Sequence, residues 1–430
     1  MANSWIRSTV GDVSERVTKG TTPTTVGGHF AEGGINFIKV ESIRDDGRFD
    51  KSKLAFIDDE TNRLLARSVL REHDVLFTIA GTIGRVARVT NDMLPANTNQ
   101  AVAIVRPSLD LVDPRFLYYT LRDEERVRQA HTRVVQSVQA NFSLTELSAI
   151  EVLLPRMDEQ RAVAAVLGDL DDKIEHNRRT AQALERLARA IFRAWFVDFE
   201  PVKAKAGGAT SFPSMPQAVF EALPTRFVDS EIGPVPEGWV AKPLAGIATF
   251  LNGLALQKYP PRGDDNDLPV IKIAELRKGS TAGADWANGD VTEQYVIQDR
   301  DLLFSWSGTL EAEFWFGGKG ALNQHLFKVT SSHFPSWFCL LWIRQHLPTF
   351  RQIASSKATT MGHIKREHLH EAKVVVPPAA VLQEAEAIIG PLFDLHAALQ
   401  IESRKLSGMR DYLLPKLLSG EVRVTVQQEG

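Results

Sequence analysis

Side chains able to contact DNA are gathered in short runs along this sequence. The first set comprises Lys39, Arg44 and Arg48, then Thr82, Arg85 and Arg88, then Asn97, Asn99 and Gln100, then Arg133, Gln136 and Asn141. Further along, a second set comprises Lys272, Arg277 and Lys278, then Ser307 and Thr309, then Lys319, Asn323 and Gln324, then Lys357, Thr359 and Thr360. Arg and Lys pair with guanine edges or phosphates, and Asn and Gln fit adenine through two hydrogen bonds, so the chemistry on offer is groove readout of a duplex. The alternative is the solvated charge of any globular surface. The case for readout rests on the pattern occurring twice, not on a single residue.

Motifs for catalysis do not accompany these sets. Nothing matches the GxxxxGK[ST] phosphate loop. The string nearest to the Asn/Asp-Pro-Pro-aromatic signature of amino-methyltransferases, Asp113-Pro114-Arg115-Phe116, has arginine in place of the second proline. His363, His368 and His370 invite a metal reading, but their spacing spreads them over different faces of a helix and no acidic or cysteine partner shares it. The only cysteine, Cys339, lies among Trp337, Phe338, Leu340 and Leu341, which predicts a buried, unreactive thiol and excludes a disulfide or a Cys-ligated zinc. The chain is therefore expected to be no enzyme, with no catalytic residue, no metal and no cofactor of its own.

What must position the two sets is a duplicated domain. Phe37-Ile38-Lys39-Val40-Glu41-Ser42-Ile43-Arg44 aligns with Val270-Ile271-Lys272-Ile273-Ala274-Glu275-Leu276-Arg277, and Asp74–Thr82 aligns with Asp301–Thr309. Asn99-Gln100 aligns with Asn323-Gln324, and Val152-Leu153-Leu154-Pro155 with Val374-Val375-Val376-Pro377. The offset drifts slowly downward, as loop deletions between two copies of one domain would cause. Short β-branched runs between Gly, Asn, Asp and Pro clusters predict a mainly β domain, with helices at 114–128 and 335–353.

After each copy the period changes. Leu167, Leu170, Ile174, Ala181, Leu184, Ala188, Ile191 and Trp195 follow alternating steps of four and three, broken only at Asn177. Ala385, Ile388, Leu392, Leu395, Leu399, Leu406, Met409 and Leu413 do the same, broken at Glu402. Both read as heptad seams of long helices able to pair with each other. The segment 201–235 is rich in Pro and Gly and predicts a surface linker. At 430 residues the chain has room for two to four domains. Its 50 basic against 53 acidic residues require any nucleic-acid affinity to be local. No signal peptide or membrane-spanning run is evident, which predicts a cytoplasmic protein without a membrane partner.

Together these features resemble the specificity (S) subunits of type I restriction-modification systems. The resemblance is carried by the paired β-rich halves, by Pro155-Arg156-Met157-Asp158-Glu159-Gln160-Arg161 opening the first helix and by Trp195-Phe196-Val197-Asp198-Phe199-Glu200-Pro201 closing it. Pro236-Glu237-Gly238-Trp239 and Leu413-Leu414-Pro415-Lys416-Leu417-Leu418-Ser419-Gly420 add to it. It implies an α+β architecture of two β-rich target-recognition domains related by pseudo-twofold symmetry and joined by two long helices in an antiparallel coiled coil. The corresponding divisions are a first recognition domain at 1–155, a first helix at 156–200, the linker at 201–235, a second recognition domain at 236–378, a second helix at 379–420 and a tail at 421–430. The resemblance further implies a bipartite, asymmetric DNA target in phage defence and two modification (M) subunits docked on the helices. Restriction (R) subunits would join through M. S-adenosylmethionine, and ATP with Mg in restriction, would then be held by those partners. The competing readings are the recognition part of a restriction-methylation enzyme and a two-lobed coiled-coil scaffold.

Two departures from the family pattern set expectations of their own. Ala379-Ala380-Val381-Leu382-Gln383-Glu384 inverts the acid-amide order of Glu159-Gln160, so the second helix should start differently. Gly308-Thr309 is followed by Leu310-Glu311 where Gly81-Thr82 is followed by Ile83-Gly84, so the second loop is expected to be less tight. The two polar seam breaks set a register. In an antiparallel pair facing residues have a constant number sum, and 579 brings Asn177 to Glu402. That register would fix the spacing of the two readers, and through it the length of unread DNA.

Overall fold

The computed structural model describes residues 5–134, 142–213, 215–356 and 362–424. The chain forms two units, Met1–Lys173 with Leu406–Gly430, and Ile174–Lys405. The two units share a strand arrangement, with a further strand, Val296–Ile297, beside Gly320–Leu322 in the second unit. In the first, an antiparallel sheet runs in the order Ser14–Lys19, Val102–Pro107, Val75–Thr78, Val86–Arg88. A second sheet places Ile35–Ile38 between antiparallel Ala55–Ile57 and parallel Ala96–Thr98. In the second unit the antiparallel order is Thr249–Asn252, Leu326–Thr330, Leu302–Ser305, Ala312–Phe314. Its other sheet again holds a parallel pair, Leu268–Ile271 with Gly320–Leu322. Each copy is closed by an antiparallel pair, Ile6–Thr9 with Glu151–Leu154 and Val240–Pro243 with Lys373–Val376.

The reason for these strands lies in their burial. Val75–Thr78 and Leu302–Ser305 are buried at every position, covered on both faces, which is why they read as continuous apolar runs rather than alternating ones. Close chain approach fixes one glycine in each copy. A Cβ on Gly20 would lie 2.0 Å from the Thr98 carbonyl oxygen, and one on Gly253 would lie 2.2 Å from that of Asn323. Only glycine fits either place. Helices follow at Pro114–Arg122 and Glu124–Val134, divided at Asp123, and at Ser336–Ser356.

The long helices span Met157–Phe192 and Ala379–Ser419. Within the first unit, Val163, Ala164 and Leu167 share a core with Leu417 and Leu418, and Arg410 Nη1 reaches Asp171 Oδ1 at 2.7 Å. Within the second, Asn177 Nδ2 donates to Glu402 Oε2 at 2.6 Å and His396 lies 3.9 Å from Glu185. In each unit residue numbers rise on one helix as they fall on the other, so the helices run antiparallel.

Two of the seam assignments are corrected. Leu395 and Met409 are about half exposed. Between Val381 and Ala397 the buried apolar side chains are Val381, Ala385, Ile389, Phe393 and Ala397, in steps of four, with His396 buried beside them. This stretch packs on its own domain as well, Phe393 against Phe314 and His396 against Phe316, which turns its buried face away from a strict heptad line. At Met409 the inward place is taken by neighbouring Arg410 through its bond to Asp171.

The 201–235 segment is no bare surface linker. It forms short helices at Glu200–Ala206 and Gln217–Ala222 and buries Val202, Met215, Val219, Phe220 and Leu223 in the core of the second unit. Its prolines mark turns, but apolar residues between them fall close enough to helical spacing to cover that core. Cys339 is buried as expected, and burial pushes its thiol up to about 12, so it stays protonated near neutral pH.

Candidate nucleic-acid interface

A hairpin tip follows the central strand of each unit, and a hydroxyl at the strand end holds it. Thr78 Oγ1 donates to the Thr82 carbonyl at 2.6 Å and accepts from Arg85 N–H at 2.9 Å. Ser305 Oγ donates to the Thr309 carbonyl at 2.6 Å and accepts from Glu311 N–H at 2.8 Å. Gly81 and Gly84 in the first tip, and Gly308 in the second, adopt positive φ. The expectation of a looser second loop is therefore corrected. The constraint sits in the strand-end hydroxyl, and the second tip is one residue shorter with the same two bonds. Further along each unit the chain meets its tip alike, Phe142 N–H bonding Ile79 O and Ile364 N–H bonding Trp306 O, both at 2.9 Å.

These pins yield a prediction. Ser305→Ala removes the hydrogen bonds to the part-buried Thr309 carbonyl and Glu311 N–H, so unfolding in urea should show a loss of about 1 kcal/mol. An unchanged midpoint would mean that the tip does not depend on the hydroxyl.

The first set of candidates lands largely on this scaffold. Lys39 pairs with Glu41 at 3.2 Å and lies over the Phe30 ring, while Arg44 pairs with Asp46 at 3.1 Å. Arg85 is turned inward, its Nε on Asp45 at 2.6 Å and its Nη1 on the Ile43 carbonyl at 3.0 Å, so it clamps segment 40–45 to the tip. Arg48 is likewise directed to a backbone carbonyl, that of Asp171, at 3.2 Å. Asn97 is fully buried on Asn62 and the Leu65 carbonyl. Thr82 and Gln100 are exposed and Asn99 half-buried, with Gln100 hydrogen-bonded by Thr22. Arg133 lies on the helix Glu124–Val134, and Gln136 and Asn141 lie outside the described residues.

In the second set, Lys272 pairs with Asp285, Arg277 with Glu311 at 3.4 Å, and Lys278 reaches the Ala282 carbonyl at 2.8 Å. Thr309 and Lys319 are exposed. Ser307 and Asn323 are corrected. Both are buried, Ser307 against His325 Nδ1 at 2.9 Å and Asn323 accepting from His325 N–H at 3.2 Å, so they shape the loop and do not present a group to a base. Gln324 is half-buried beside them, its carbonyl accepting from Trp306 Nε1 at 3.1 Å. Lys357, Thr359 and Thr360 lie outside the described residues.

One junction joins the tip to the preceding segment in both units, but with opposite charge. Arg85 meets Asp45 in the first, and Glu311 meets Arg277 in the second. Other suggestive strings are structural. Asp113 caps the helix Pro114–Arg122, its Oδ1 accepting from the Arg115 and Phe116 N–H groups. His368 is buried with Nδ1 accepting from Lys365 N–H, and among the described residues no three metal-ligating side chains gather. No helix among them is long and apolar enough to cross a membrane.

Two copies of one loop-bearing fold in a single chain define a duplicated recognition module. A family model, the type I restriction modification DNA specificity domain, matches residues 3–186 and again 236–407, and the chain belongs to the specificity subunits of type I restriction-modification systems. DNA sequence recognition is the task that this membership supports. The MjaIX specificity subunit of Methanocaldococcus jannaschii is 26% identical over 357 residues, covering 81% of this chain and 78% of that protein. The HindI specificity subunit of Haemophilus influenzae is 23% identical over 406 residues, covering 83% and 88%. Among solved structures, the S subunit of a type I system from M. genitalium matches with a TM-score of 0.54 at 14% identity, covering 99% of this chain and 98% of that one, a likeness of fold.

Proposed function

We propose that this chain reads a split, asymmetric DNA target, one half-site per recognition domain, and carries two modification subunits on its long helices. It contributes no catalytic group. The adenine methylation, its S-adenosylmethionine, and the ATP and Mg of restriction belong to partner subunits, with restriction subunits joining through the modification subunits in the cytoplasm. The observation that carries this reading is the repetition of one scaffold with different chemistry upon it: equally pinned tips, yet Arg85–Asp45 in one copy and Glu311–Arg277 in the other. A repeated scaffold supplies two readers. Unlike surfaces give them unlike half-sites.

Exchanging residues 1–154 for the first half of another specificity subunit is the direct test. The methylated-base map of cells carrying the hybrid should change in one half-site and keep the other. A change in both halves would end the two-reader model. Methyl transfer by the purified chain with methyl donor alone would end the non-catalytic one.

A further inference from the structure

The first unit holds a basic cavity that none of the loop residues explains. It has a volume of about 290 Å³ and is lined by Arg88, Arg115, Arg161 and His73 together with Asp113 and Met157. Three guanidinium groups thus face one carboxylate, and that carboxylate already caps a helix. Arg115 is balanced at 3.1 Å by Asp172. Among the described residues the guanidinium groups of Arg88 and Arg161 have no hydrogen-bond or ion-pair partner. Arg88 is half-buried, and burial, with the neighbouring Arg115 charge, holds its guanidinium below the ordinary value. Unpaired charge withdrawn from water is costly unless a counter-charge arrives.

The second unit shows that the fold does not require this arrangement. Val75 faces Arg88 across its strand pair, and Leu302 faces Phe314 across the equivalent one. Arg115 follows Pro114 at the start of its helix, and the uncharged Ser336 follows Pro335 at the start of the counterpart. Arg161 is the fifth residue of the first long helix, and Gln383 the fifth of the second. Phe314 packs against the second unit's core. His73 and Arg300 share the same left-handed backbone, φ 75° and 77°, but Arg300 is paired with Asp394 at 2.9 Å. Where one copy has a phenylalanine, a serine and a glutamine at the joint, the other has three arginines.

We infer that this cavity is a phosphoryl-binding site that seats one phosphodiester of the DNA backbone. Guanidinium forks match phosphate oxygens in geometry, and the cavity has room for a single such group. This rests on the reading of the chain as a DNA-binding subunit and adds to it an anchor, independent of base identity, in the first unit only.

The test replaces the two unpaired arginines by the residues that the second unit uses, Arg88→Phe with Arg161→Gln, in the full chain with and without its methyltransferase partners. Binding to a target duplex and to a scrambled one should weaken by a similar factor, on the order of tenfold, and the slope of log affinity against log salt should fall by about one. Arg161→Gln alone, at an exposed position, should give a smaller shift in the same sense and keeps the test valid if the double variant folds poorly. Unchanged affinity and slope in a chain whose parent binds its target would overturn the site. Inorganic phosphate that raises the melting temperature of the parent but not of the variant, with duplex binding unchanged, would assign the cavity to a free phosphate and overturn the DNA assignment. Lost association with the partner subunits at unchanged duplex affinity would assign it to a protein carboxylate, with the same consequence. A parent chain with no duplex affinity would remove the underlying reading and the site with it.

Discussion

Asp74→Ala is expected to cost the first unit about 3–5 kcal/mol, a large share of the roughly 5–15 kcal/mol that holds an ordinary domain together. Asp74 is fully buried at the foot of the central hairpin. It receives both arms of Arg106, Nε at 2.8 Å and Nη2 at 2.7 Å, together with the Arg71 N–H at 2.8 Å. Removing the carboxylate leaves an arginine that is only 13% exposed without a counter-charge, and a backbone N–H without an acceptor. The second unit supplies an internal control. Asp301 occupies the same place and pairs with Lys328 at 2.8 Å, but both side chains keep about a fifth of their surface in water. Solvent can there replace much of what is lost, so Asp301→Ala should cost clearly less. Urea unfolding of both variants decides the matter. A loss below about 1 kcal/mol for Asp74→Ala, or a ranking in the other direction, would show that the pair is not the anchor its geometry indicates.

The duplication was legible because turns and strand ends constrain residue type. Asp74 and Asp301 accept backbone N–H groups at the same place, and Gly81 and Gly308 take positive φ, so the same letters recur at nearly the same spacing. Which polar side chains face outward was much less legible. Ser307, Asn323 and Asn97 are the types that hydrogen-bond bases, but they hydrogen-bond loops equally well, and sequence does not say which carbonyl lies nearby. Arg85 has the charge of a DNA-contacting side chain but is held as a clamp within the fold, on Asp45 and the Ile43 carbonyl. Arg115 and Arg161 stand far from the loop clusters in sequence and reach Arg88 only because two helix starts pack beside one strand. The segment 201–235 misled because proline and glycine report turns and are silent about what the residues between them cover.

The pair at the seam breaks should show strong coupling. Asn177 has no exposed surface, and its amide nitrogen bonds the Glu402 carboxylate at 2.6 Å. Asn177→Leu removes a donor from a charged acceptor, a loss of about 1.5–3 kcal/mol. Glu402→Leu leaves the buried amide with neither of its groups bonded, because Asn177 Oδ1 already has no partner among the described residues. The double variant replaces both by apolar groups, and such replacements of buried polar pairs are often neutral or stabilising. The four proteins form a cycle whose interaction energy should exceed about 1 kcal/mol, with the double variant close to the parent and both singles below it. A coupling under about 0.5 kcal/mol would mean that the contact is incidental. A large one leaves a polar pair where leucine would serve stability equally well, and what leucine cannot supply is discrimination between registers: an apolar seam can slide by a turn with little penalty, whereas sliding would leave the fully buried Asn177 against apolar neighbours.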